Sequence, residues 1–239
     1  MMKRICSVLT SMICAIVLTF HVNAALGKSA HAGEMVEGLW KYTKLTTSDG
    51  NEMPLTGIFL FKDGVFLQQS IFNGEPFDEQ GAMAHAGPYT SEPDAIHLIA
   101  EPTVSIAPDD NGPLSYRDST KHKLSVDRSE NELTLVFGSG TVQEFERIGS
   151  GKGQVYSIED GKLAFADNYF ILVQGNENGS VSGYGTFEKQ DGDAINLNVI
   201  RWAEGTTDSA TNKRDVTLEA DFDGRRLTLP DGRSFKVVQ

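Results

Sequence analysis

From residue 37 onward the chain reads as short runs of alternating apolar and polar residues. Gly38-Leu39-Trp40-Lys41-Tyr42-Thr43-Lys44-Leu45 has period two, the pattern of a half-buried strand. Gly57-Ile58-Phe59-Leu60-Phe61 and Val65-Phe66-Leu67-Gln68 flank Lys62-Asp63-Gly64. Asp-Gly between apolar runs predicts a hairpin, because glycine accepts the positive φ of a tight turn. Strands are expected at 82–90 and 95–106, with a turn at Glu92-Pro93-Asp94. A polar loop at 108–119 precedes strands at 121–126, 133–137 and 141–148. No segment of this region has the 3.6-residue period of a helix.

A second unit follows the same plan. Strands are expected at 154–158, 162–166, 169–173, 180–188, 194–202, 215–222, 226–229 and 234–238. Asp94-Ala95-Ile96-His97-Leu98 returns 99 residues later as Asp193-Ala194-Ile195-Asn196-Leu197. Leu124 to Asp127 and Leu133 to Leu135 are echoed by Leu218 to Asp221 and Leu227 to Leu229. Order and spacing are nearly kept, so one all-β unit is present twice. Gly149-Ser150-Gly151-Lys152-Gly153 between the copies reads as a flexible linker. Its glycines lack the spacing of a phosphate-binding loop. Short antiparallel strands must bury one face and protect their edges, and closure into up-and-down barrels does both. A sandwich is the rival arrangement. The fold expected is therefore all-β, with two tandem antiparallel barrels at 37–148 and 154–239, the second the shorter.

Gly38-Leu39-Trp40, with Tyr42 behind it, opens the first strand, and Phe145-Glu146-Arg147-Ile148 forms the last strand of the unit. These residues resemble the G-x-W motif and the closing basic residue of the lipocalin-like calycin family. The resemblance implies that Trp40 closes one end of the barrel and that Arg147 packs across its ring. Both are then structural. It also implies a ligand cavity inside a barrel or between two.

The N-terminus stands apart from this pattern. Lys3 and Arg4 precede a largely apolar run from Ile5 to Phe20, and Val22-Asn23-Ala24 supplies small residues at a cleavage site. Residues 1–24 read as a signal peptide, with Ala32 a second candidate end, and 25–36 as an unstructured lead-in. The mature chain is then periplasmic or secreted. It is cysteine-free, because Cys6 and Cys14 both lie in the leader. That excludes a disulfide, a thiolate nucleophile and a cysteine-ligated metal. Lys3 and Arg4 are the only Lys, Arg, Asp or Glu of the leader, so its loss takes the formal charge from −12 to −14. Such acidity disfavours nucleic acid and anionic membranes as partners. No integral membrane segment remains after cleavage.

Candidate chemistry is sparse. His85, His97 and Glu101 could approach one another across neighbouring strands, but strand histidines without a shared ligand are the plainer reading. No metal and no cofactor is expected. Asp94, Glu101, Asp193 and Glu204 stand at strand ends, where turn capping is the common role of an acid. No Gly-x-Ser-x-Gly elbow occurs. The aromatics are more suggestive. Phe59, Phe61, Phe66, Tyr184 and Trp202 are expected to line a site for a small, mostly apolar molecule or lipid. Two alternatives stand beside that expectation. One is a cofactor-free isomerase, cyclase or hydratase acting in a barrel pocket. The other is an envelope structural or interaction protein with filled barrels.

Overall fold

The computed structural model describes residues 31–108 and 112–238. The expected leader, 1–24, lies outside the described residues. So do 25–30 of the expected lead-in. The remainder of that lead-in is not unstructured: Ala32–Val36 forms a short helix, α1. Ala32 and Val36 lie four residues apart on one helical face and are fully buried in the core of the first barrel. A five-residue helix has no stability of its own, so tertiary packing supplies it and no local pattern announces it.

The first unit contains β1 (Gly38–Thr46), β2 (Glu52–Met53), β3 (Leu55–Lys62), β4 (Val65–Phe72), β5 (Ala82–Ser91), β6 (Ala95–Ala100), β7 (Thr103–Ile106), β8 (Leu114–Arg117), β9 (Thr120–Ser129), β10 (Glu132–Phe137) and β11 (Val142–Gly149). Eight of these close a ring in the order β1-β3-β4-β5-β6-β9-β10-β11, with β11 returning to β1. β2 pairs with β1, while β7 and β8 extend from β5. The single strand expected at 95–106 is thus two. Pro102 lacks an N–H to continue the ladder, and the chain leaves β6 to pair with the other half of β5.

The second unit contains β12 (Gly153–Ile158), β13 (Gly161–Ala166), β14 (Tyr169–Gly175), β15 (Gly179–Lys189), β16 (Ala194–Thr206), β17 (Ala210–Lys213), β18 (Val216–Phe222), β19 (Arg226–Thr228) and β20 (Ser234–Lys236). The ring order is β12-β13-β14-β15-β16-β18-β19-β20, and β17 pairs with β16. A bridge between Ile158 and Val237 and the Val238 N–H donated to Ser157 O nearly close it. Although shorter, this barrel has the same number of staves as the first.

The repeated sequence occupies equivalent strands, β6-β9-β10-β11 and β16-β18-β19-β20. Leu133 faces Phe145 in one copy and Leu227 faces Phe235 in the other. Between the first two strands the register slips: Ile96 pairs with Leu124, but Ile195 pairs with Ala220. The slip is two residues, so every side chain keeps its face.

Each barrel has its own apolar interior. A third cluster joins them. Leu39, Ile58, Leu60, Leu67, Ala84 and Ala86, on the outside of barrel 1, pack with Ala164, Ala166, Ile171, Val173 and Tyr184 of barrel 2.

Candidate functional site

One end of barrel 1 is shut. Trp40 is fully buried and donates its indole N–H to Val36 O at 2.7 Å, which ties the first strand to α1. Arg147 lies over the Trp40 ring, its guanidinium carbon 5.6 Å from the centroid. Arg128 lies over it too, at 5.3 Å. Sequence reasoning missed Arg128. It belongs to the inward set of β9 with His122, Leu124 and Val126, and that alternation could have found it.

Above this plug the interior is aromatic. Phe59 and Phe61 stack with centroids 4.2 Å apart, and Phe66 and Phe145 lie 5.9 and 5.8 Å from Phe59. All four are at most 1% exposed. The three expected ligand-lining phenylalanines therefore fill the lower half of barrel 1 and pack on one another.

Towards the other end the inward residues turn polar. Gln68 follows Phe66 on the inner face of β4 and donates to the Tyr42 hydroxyl at 2.7 Å and to Ser70 Oγ at 3.1 Å. The Tyr42 hydroxyl donates to Gln143 Oε1 at 3.1 Å. Burial holds the Tyr42 phenol well above its ordinary pKa, against the smaller pull of the Gln68 bond, so it stays neutral. The same inner face of β5 carries His85, whose ring centroid is 6.0 Å from that of His122 on β9. His122 in turn meets the Phe137 edge at 5.5 Å. His85 Nδ1 is 3.3 Å from Thr103 Oγ1, which is 2.6 Å from Thr120 Oγ1. Among the described residues, no protein group hydrogen-bonds His85 Nε2 or either nitrogen of His122. Burial, then the nearby His122, pushes the His85 imidazole down to about 4, and burial lowers His122 as well. Two neutral imidazoles thus stand over an aromatic floor.

His85 and His97 do not meet, whereas the Glu101 N–H donates to Ala86 O at 2.6 Å, one residue from His85. His97 is on the outer face, 2.9 Å from Glu92 Oε1, in a group that includes Lys123. Among the described residues no cluster of three or more His, Cys, Asp or Glu is placed to hold a metal.

In barrel 2 the mouth is shaped by a bulge. Tyr184 pairs with Arg201 but Gly185 pairs with Val199, leaving Ile200 unpaired in β16. Ile195, Leu197 and Val199 face the interior before the bulge, and Trp202 faces it after. One extra residue therefore keeps Trp202 inside and sends Arg201 out. Glu204, two residues on, reaches the rim above Trp202. Its Oε2 accepts from Trp202 Nε1 at 3.2 Å and from Arg233 Nη1, and its Oε1 accepts from Lys213 Nζ at 3.0 Å. Burial raises the Glu204 pKa, but the bonds from Arg233, Lys213 and Trp202 outweigh it and leave the carboxyl below its ordinary value. Arg233 also donates to Asp231 Oδ2 at 2.7 Å. Beside this network lies a hollow of about 540 Å³, lined by Val181, Ala210 and Phe235 on its apolar side and by Ser180, Glu204 and Arg233 among its polar groups.

Trp202 thus belongs to the barrel 2 interior, one hydrogen bond from that hollow. Tyr184 does not. It points out of β15 into the seam between the barrels, where Gln69 Nε2 donates to Ser182 Oγ at 2.7 Å. No protein-family model, no curated protein and no solved structure matches the chain.

Proposed function

We propose that the chain is an exported, lipocalin-like binding protein that takes a small, mostly apolar molecule or lipid in the mouth of barrel 2. The observation that carries this is the hollow of about 540 Å³ against Val181 and Phe235. Ligand pockets commonly span roughly 300–1,000 Å³, apolar in the main with a few placed polar groups. Glu204, held ionised by Arg233 and Lys213, supplies a polar rim that already has its partners. Apolar contact then drives entry, and the rim orients the polar end of the ligand. Export fits the leader pattern, and cleavage after Ala24 leaves all of α1 in place. Cleavage after Ala32 removes its first residue, which is fully buried.

Native mass spectrometry of the mature protein, purified without detergent, tests the proposal together with titration by a neutral solvatochromic dye. One saturable dye site that quenches Trp202, and is lost in Ala210→Phe, is expected. Absence of saturable binding, or dye binding indifferent to Ala210→Phe, sinks it.

A second reading rests on His85. The neutral His85 imidazole, whose Nε2 has no protein partner among the described residues, can accept a proton from an apolar substrate, as the base of a cofactor-free isomerase, cyclase or hydratase does. Deuterium incorporation from heavy water into enolisable ketones by the wild type, absent in His85→Gln, favours it. Equal incorporation by the two discards it.

A further inference from the structure

We propose that the closed end of barrel 1 binds a phosphate-type oxyanion between Arg128 and Arg147. Both guanidinium groups lie over one indole, at 5.3 and 5.6 Å from the Trp40 centroid. Among the described residues neither arginine makes an ion pair with a carboxylate. Backbone carbonyls take only part of their hydrogen-bonding capacity. Arg128 Nη1 donates to Met35 O at 2.8 Å and, more weakly, to Glu34 O. Arg147 donates through Nε to Gly149 O at 3.1 Å and through Nη2 to Glu37 O at 3.4 Å. Arg128 Nε and Nη2 and Arg147 Nη1 keep no protein acceptor among the described residues. Burial and the like charge of Arg147 both disfavour the charged form of Arg128 and hold its pKa below the ordinary value.

Two like charges kept together without a counter-charge are a cost that a bound anion removes. In a chain with a formal charge of −12 such a pair is conspicuous. An open hollow of about 620 Å³ adjoins it, lined by Glu34, Met35, Arg128, Ser129, Glu130, Asn131 and Arg147. A tetrahedral dianion suits the pair better than a carboxylate. Its several oxygens can accept from two guanidinium groups that do not share a plane, and its charge matches theirs. Glu34 and Glu130 stand exposed on the rim and oppose the anion, which sets the affinity low and gives the test a second handle.

The experiment is calorimetric titration of the full mature chain with inorganic phosphate at fixed ionic strength. ³¹P line width follows the same binding. A parallel arm measures co-sedimentation with phosphatidylcholine vesicles with and without phosphatidate. Saturable binding is expected, weakened about tenfold in Arg128→Gln and strengthened in Glu34→Gln/Glu130→Gln. The acid-to-amide variant changes only exposed side chains, so folding does not confound it. Binding to phosphatidate vesicles alone, lost in Arg128→Gln, supports the same chemistry and assigns its source to lipid. The proposal is overturned if neither arm responds, if chloride reproduces the response, or if both variants behave as wild type.

Discussion

His85 is a base kept from its proton. The unfolded chain takes up that proton near the ordinary imidazole value of 6.5, whereas the folded barrel resists it until about pH 4. Between those values the unfolded state binds more protons, so stability falls as pH falls through that window. Above it both states are neutral at this site and nothing is lost. The full difference is about 3 kcal/mol, and the lowered His122 adds to it in the same direction. His85→Gln keeps a polar group of similar reach without the proton. Urea unfolding at pH 7 and at pH 4.5 is expected to show a wild-type loss larger than that of His85→Gln by about 2–3 kcal/mol. Equal losses in the two proteins place the titration elsewhere. The position of His85 on a strand is plain in the sequence, but its partner is not. His122 is 37 positions away, and only barrel closure, with the chain leaving β6 at Pro102, brings the two rings together. The polar belt, by contrast, is legible in the sequence. Phe66, Gln68 and Ser70 continue one alternation, so the face that buries Phe66 also carries Gln68 inward.

The element that decides the second mouth is β16. The repeat identifies its first half, since Ile195 and Leu197 stand where Ile96 and Leu98 stand in barrel 1. It says nothing of the bulge at Ile200, because a bulge is a property of two paired strands and leaves no mark on one. Without it Arg201 would point inward and Trp202 outward. The partner strand is cut to fit: Gly183 lies under the Trp202 ring, and a Cβ there would come within 2.2 Å of it. Gly183 has no positive φ, so its need for glycine is steric alone. Gly183→Ala is expected to displace the indole and cost about 1–3 kcal/mol, seen in denaturant midpoint and in the near-ultraviolet circular dichroism of Trp202. Gly138→Ala, where a Cβ meets open space, is expected to stay within about 0.5 kcal/mol. If the two substitutions cost the same, the indole is not packed on Gly183.

At the scale of the whole molecule, the informative signal is a failure of alternation. Gly57-Ile58-Phe59-Leu60-Phe61 is apolar at every position after the glycine, as is Phe170-Ile171-Leu172-Val173 in the second unit. A barrel has one interior, so a stave apolar on both faces must have its outside covered. Phe59 and Phe61 fill barrel 1 while Ile58 and Leu60 meet the other barrel. Phe170 and Leu172 fill barrel 2 while Ile171 and Val173 meet the first. Read as strands alone, these runs give the two barrels but not their junction, and Tyr184 is then assigned to a cavity it does not face. Alanines at 84, 86, 164 and 166 let the sheets approach closely, and the Gln69–Ser182 bond is made with both residues at 0% exposure. The glycine-rich connection is pinned as well: Asp167 accepts from Ser150 Oγ at 3.1 Å and from the Gly151 N–H. Two units sharing this much apolar surface are expected to melt in one transition, although each owns a separate core. Ile171→Asp places a charge in the seam, at a position 1% exposed and packed among apolar side chains. A charge of that kind costs several kcal/mol unless the surfaces part. Parting leaves both interiors intact, so calorimetry of Ile171→Asp is expected to resolve two transitions and limited proteolysis to cut at 149–153. A single broadened transition with no such cut means that neither barrel holds together without the other.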